Sequence, residues 1–150
     1  MKKTVNALIV SAALIVGAAA VPAAADEASY AAAVEDVEQT LGFVPTFLKE
    51  MPKAGFAGAW QQLKDLEFSE ETALSPKVKA LIGLAVVSQI PCSYCIWADA
   101  ASARHAGATD EEIREAVAIA ATERFWSTML NGLEIDLDQF KAEFGPLVGE

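Results

Sequence analysis

Residues Ala73–Ile113 read ALSPKVKALIGLAVVSQIPCSYCIWADAASARHAGATDEEI. Helix punctuation divides this stretch into two helices and the start of a third. Ser75 suits an N-cap, and Pro76 suits the first helical position, where its missing N–H is not needed. From there to Ile90 the segment is apolar nearly all round, so it is expected at the centre of the domain or at a subunit interface. Pro91 ends it, because proline lacks an N–H and disfavours helix in the residue before it. A second helix is predicted from Cys92 to Ala106, with Gly107 at the C′ position. Thr109 and Glu112 have capping-box spacing and open the third.

The flanks are helical too. Ala, Leu, Glu and Lys dominate, β-branched runs are short, and no strand stands out. An amphipathic helix is predicted over Ser29–Leu41, ending at Gly42. A turn and short helix follow in FVPTFLKEMP, between Pro45 and Pro52. Lys53 to about Leu66 reads as a helix with Phe56, Trp60 and Leu63 on a core face. EFSEETALSP reads as a polar loop. The helix opened by Thr109 carries Ile113, Val117 and Ala120 on one stripe and ends near Asn131-Gly132. A last short helix covers roughly Leu137 to Phe144. The fold class is therefore all-α, with about six helices.

The N-terminus has the anatomy of a bacterial export signal. Lys2 and Lys3 precede an apolar stretch running to about Val21, and Pro22 precedes the small residues Ala23-Ala24-Ala25. Residues 1–25 are expected to be a cleaved signal peptide, and residues 26–150 a single domain in the periplasm or outside the cell. The stretch is too short and too diluted by Ala and Gly for a retained span, so no stable membrane span is expected after cleavage. Removing two lysines and no carboxylate takes the net charge from −10 to −12. Such a surface repels phosphate backbones and argues against nucleic acid as a partner.

Cys92 and Cys95 are the two cysteines of the chain, and His105 is its one histidine. The pair opens a helix, where N–H groups and the dipole stabilise a thiolate; Cys92, nearer the terminus, gains most. Cys95 lies one turn on, and Asp99 one turn further on the same face. His105 is ten residues past Cys95, which at ~100° per residue leaves it roughly 80° off that face. A zinc site wants four ligands, and one C-x-x-C beside a misplaced histidine does not supply them. As a staple, a bridge over so few residues constrains the unfolded chain little. A dithiol–disulfide couple fits best, with a structural disulfide as the alternative. Trp97 and Trp126 read as packing residues or pocket walls, and His105 as a solvated surface residue. No metal or cofactor is expected.

LSPK (Leu74–Lys77), the apolar helix, CSYC (Cys92–Cys95) and AGATDEEI (Ala106–Ile113) together resemble the AhpD-like, carboxymuconolactone decarboxylase superfamily. GFVPTFLKEMP and RFWSTMLNG (Arg124–Gly132) resemble the flanks of one of its subgroups. The resemblance implies a helical fold built on an antiparallel helical hairpin, assembled into trimers, hexamers or related homo-oligomers. It implies that Cys92 and Cys95 form a redox centre in which one cysteine attacks a hydroperoxide and the other resolves the sulfenic acid. In the family's pattern the attacking residue is the second, here Cys95, whereas the dipole argument makes Cys92 the more acidic thiol. Two family positions depart from the pattern. The glutamate twelve residues before the first cysteine is Ala80 here, and the histidine four residues after the second is Asp99. The usual Glu/His proton relay is thus absent.

Three functions compete. The first is a thiol oxidoreductase that reduces a hydroperoxide or exchanges disulfides, drawing on a thiol reductant, with Cys92, Cys95 and Asp99 as its catalytic residues. The second is a non-catalytic oligomeric binding or scaffold protein with a permanent disulfide. The third is a lyase on a small acidic lactone. Its substrate would need cations, for which the core motif offers Arg104, Arg114 and Arg124.

Overall fold

The structure is a computed structural model that describes residues 23–90 and 92–150. Most of the expected signal segment lies outside the described residues, as does Pro91. Seven α-helices and one π-helical turn make up the described residues, which contain no strand. The chain forms two compact units, one reaching to Trp60 and the other spanning Gln61–Glu150.

In the first unit, α1 (Ala23–Leu41) is followed by the single turn α2 (Thr46–Lys49) and the start of α3 (Phe56–Leu63). Gly42, at φ +80°, ends α1 and donates its N–H to the Glu38 carbonyl at 2.8 Å, as a left-handed glycine stop does. Ala33 and Val37, one turn apart on α1, are buried, and so are Leu48, Phe56 and Trp60. The Tyr30 ring meets Phe56 edge-on at 5.1 Å. The Trp60 indole N–H donates to Asp36 Oδ2 at 2.6 Å, which satisfies the polar end of a buried ring.

The second unit contains the π turn (Lys64–Phe68) and α4 (Pro76–Ser88), α5 (Ser93–His105), α6 (Asp110–Gly132) and α7 (Leu137–Val148). Its core is formed by Leu84, Ala103, Ala108 and Ile113, with Ala80, Leu81, Val87 and Ala100 packed against them. Alanines at the contact let α4 and α5 approach closely. They run antiparallel, since His105 and Ala106 at the end of α5 flank Ser75–Lys77 at the start of α4. This is the expected helical hairpin.

The helix boundaries follow from local chemistry. Ser75 Oγ accepts the Val78 N–H at the start of α4, with Pro76 at the first position. At the end of α5, Gly107 (φ +84°) donates to the Arg104 carbonyl and Ala108 to the Ala103 carbonyl. That pairing is the Schellman pattern, and it delivers Ala108 into the core. Thr109 and Glu112 close the capping box of α6 in both directions, at 3.1 and 2.7 Å. Glu112 also accepts Lys77 Nζ at 2.8 Å, tying the start of α6 to the start of α4. The Lys77 hydrogen bond, then the Thr109 N–H, hold the Glu112 carboxyl below its ordinary range.

Some expectations shift. The π turn extends the third helix to Phe68, past the predicted Leu66. The last helix continues to Val148 with Pro146 inside it. On α6, Ile113 and Ala120 are buried but Val117 is not. The α4 helix is not enclosed within the chain, because Val78, Ile82 and Val86, spaced four apart, form an exposed face. Of the two readings of Trp97 and Trp126, packing residues or pocket walls, packing within the chain does not hold. The two residues are 76% and 53% exposed, and Trp126 lies beyond the stretch of α6 that supplies the buried Ile113 and Ala120.

Candidate functional site

The candidate site is the bend of the α4–α5 hairpin. Cys92 has extended backbone angles (φ −118°, ψ 90°) and serves as the N-cap of α5, with its Sγ accepting the Cys95 N–H at 3.3 Å. Sulfur rarely takes this role, which usually falls to an oxygen. Cys92 and Cys95 are joined in a disulfide with their Cα atoms 5.4 Å apart. Both are half-buried, whereas Tyr94 and Trp97 beside them are exposed at 87% and 76%. The bridge therefore lies within reach of a small reactant.

Asp99, one turn beyond Cys95, points back into the hairpin. Its carboxyl lies over Gly83 of α4, so close that a Cβ at position 83 would be 3.1 Å from Oδ2. It is half-buried, and that burial pushes its carboxyl above the ordinary aspartate range. A raised carboxyl is the form of Asp that serves as a proton acceptor nearer neutral pH. Ala80, at the position where the resembling peroxidases carry glutamate, packs against the apolar cluster of Leu84 and its neighbours. A methyl there carries no proton, so any proton handling on this face falls to Asp99.

Cys92 and Cys95 sit at the bend of the hairpin, and Asp99 lies half-way along α5 with its carboxyl against Gly83 of α4. His105 is exposed at the end opposite the bend, beside Lys77. Arg104 and Arg114 are exposed and paired with Asp110 and Glu111. Arg124 is exposed too, and its Nε donates to Gln89 Oε1 at 3.0 Å. Among the described residues, no group of three or more His, Cys, Asp or Glu is placed to hold a metal ion. No helix among them is long and apolar enough to cross a membrane. Sequence reasoning missed Gly83. Its one signal was a glycine inside a helix, which is less favourable than alanine by about 1 kcal/mol and so asks for a reason.

Residues 54–137 match the model of the carboxymuconolactone decarboxylase family. The chain belongs to this family. Its fold is similar to the crystal structure of the alkylhydroperoxidase AhpD core from Rhodospirillum rubrum, with a TM-score of 0.63 and 27% identity over 79% of this chain and 90% of that one. No curated protein matches the chain. Within the carboxymuconolactone decarboxylase family the all-α hairpin is thus an AhpD-like one, as LSPK, CSYC and AGATDEEI had implied.

Proposed function

We propose that the chain is a thiol-dependent oxidoreductase that reduces a hydroperoxide or exchanges disulfides through Cys92 and Cys95. The observation that carries this reading is the pair's position. It caps a helix N-terminus, it is closed as a disulfide, and it has Asp99 one turn on. AhpD-like family membership supports an enzymatic role of this kind.

The cycle balances as follows. Asp99 takes the Cys95 proton through one bridging water, and the thiolate attacks the terminal oxygen of the hydroperoxide, breaking the O–O bond. That leaves a sulfenic acid and, after protonation, an alcohol. The Cys92 thiol then attacks the sulfenic sulfur, forming the disulfide and releasing water. An external dithiol returns two electrons and two protons. In that step Cys92 is the better leaving group, since its sulfur has the Cys95 N–H and the helix dipole to stabilise it.

The exposed α4 face of Val78, Ile82 and Val86 supports a second copy of the chain as a partner. The export signal read in residues 1–25 favours a periplasmic setting, where a disulfide persists. No comparable observation favours a lyase, since Arg104 and Arg114 are paired at the surface.

The test is steady-state consumption of an organic hydroperoxide with a dithiol reductant. The wild-type chain should turn over, and Cys92→Ser and Cys95→Ser should not. Wild-type consumption no faster than that of the double variant refutes the proposal and leaves the permanent disulfide as the better reading.

A further inference from the structure

Gly83 lies inside α4, where alanine would favour the helix more. Its backbone gives no reason for glycine, because the positive-φ glycines are Gly42, Gly55, Gly107 and Gly149. The reason lies across the hairpin. A Cβ at position 83 would meet Asp99 Oδ2 at 3.1 Å, Cγ at 3.2 Å and Oδ1 at 3.4 Å. All three nearest atoms belong to one carboxyl group, so the space a side chain would fill is taken by Asp99.

We propose that Gly83 is a positioning residue: its missing side chain seats the Asp99 carboxyl against α4, one turn from Cys95, and so sets how that carboxyl exchanges a proton with the thiol. The inference rests on the reading of Asp99 as the base of the dithiol chemistry. Other charged groups on these elements have their own partners, lie toward the far end of the hairpin or are exposed. On α4, Lys77 bonds Glu112 and Lys79 bonds the Ser69 carbonyl. On α5, Arg104 pairs with Asp110, and His105 lies at the opposite end. On α6, Arg114 pairs with Glu111 and Arg124 with Gln89, while Glu115 and Glu123 are exposed. Burial is the cause of the raised Asp99 carboxyl, so its depth against α4 is the quantity that Gly83 controls.

The test is Gly83→Ala in the full chain. The α4 backbone cannot yield, whereas the Asp99 side chain turns about two bonds and is half-exposed. The methyl therefore displaces the carboxyl toward water. The Asp99 carboxyl titration, followed by carbon NMR, should shift down, because the carboxyl gains water, and the pH profile of hydroperoxide turnover should move with it. In an Asp99→Asn background the same substitution should leave the profile unchanged. An unmoved or raised titration overturns the proposal, as does an equal profile shift in the Asn background. If Asp99→Asn by itself leaves the profile unchanged, the base reading falls and this inference with it; if it changes the profile and Gly83→Ala does not, only this inference falls. Should Gly83→Ala fail to fold, Gly83→Ala with Asp99→Ala puts methyl against methyl. Recovery of helical circular dichroism then supports the clash with the carboxyl, and no recovery overturns it.

Discussion

Replacing Asp99 by Asn in a Cys92→Ser background leaves one thiol, Cys95, one helical turn from the altered group. Residues four apart on a helix have Cβ atoms about 5–6 Å apart, so a thiolate and a carboxylate there are separated by about 6 Å. Their repulsion is ~0.7 kcal/mol at the dielectric constant of water and ~2.8 kcal/mol at an effective constant of 20. Both groups are half-buried, which places the pair between these limits. Removing the charge should lower the Cys95 thiol pKa by about 0.5–2 units. The assay is the pH dependence of iodoacetamide alkylation of the single thiol, with and without Asp99→Asn, in low-salt buffer so that screening does not mask the effect. An unchanged or raised thiol pKa would show that Asp99 does not act on the cysteine face, and the proton-handling role would fail.

Four further outcomes follow from the packing and the capping. Leu84 is 2% exposed among neighbours that are mostly alanine, which cannot close over a cavity, so Leu84→Ala should cost about 2–5 kcal/mol in urea unfolding at fixed protein concentration; a loss under about 1 kcal/mol would mean the α4–α6 core is misplaced. Burial raises the folded Asp99 carboxyl, so its contribution to stability is fully present below the unfolded carboxyl's titration and is lost as pH rises through the folded one. Asp99→Asn should therefore melt higher than wild type at pH 7 and level with it in acid, and equal melting at both pH values would contradict the burial. Thr109→Ala should cost about 1 kcal/mol through loss of the cap. For Glu112 the sign is opposite, because its folded carboxyl is lowered: Glu112→Gln should be less stable than wild type near neutral pH, with the gap closing as acid protonates the wild-type carboxyl.

Much of the hairpin was legible in the sequence because its signals are local. Ser75-Pro76, Gly107 and the Thr109–Glu112 box act within one turn of chain, and each sits where its spacing put it. Helical periodicity separates Asp99 from His105 in the same way, and in the structure Asp99 lies against Gly83 while His105 lies beside the start of α4. The register between helices was not legible. Nothing in the order of residues says that Gly83 lies under Asp99, since that depends on how far α4 slides along α5. The exposure of Trp97, Val78, Ile82 and Val86 was equally out of reach, because an apolar residue reads the same whether it is covered by its own chain, by a second copy or by solvent. The π turn at Lys64–Phe68 leaves no mark in the apolar spacing that would distinguish it from a continued α-helix.

The central claim is that Cys92–Cys95 is a working redox couple and not a permanent bridge. Its reduction potential, measured by equilibration with glutathione or dithiothreitol buffers, tests this most directly. A working couple should lie within about −120 to −270 mV, the span of known dithiol oxidoreductases. A value below about −300 mV, where structural disulfides lie, would contradict it.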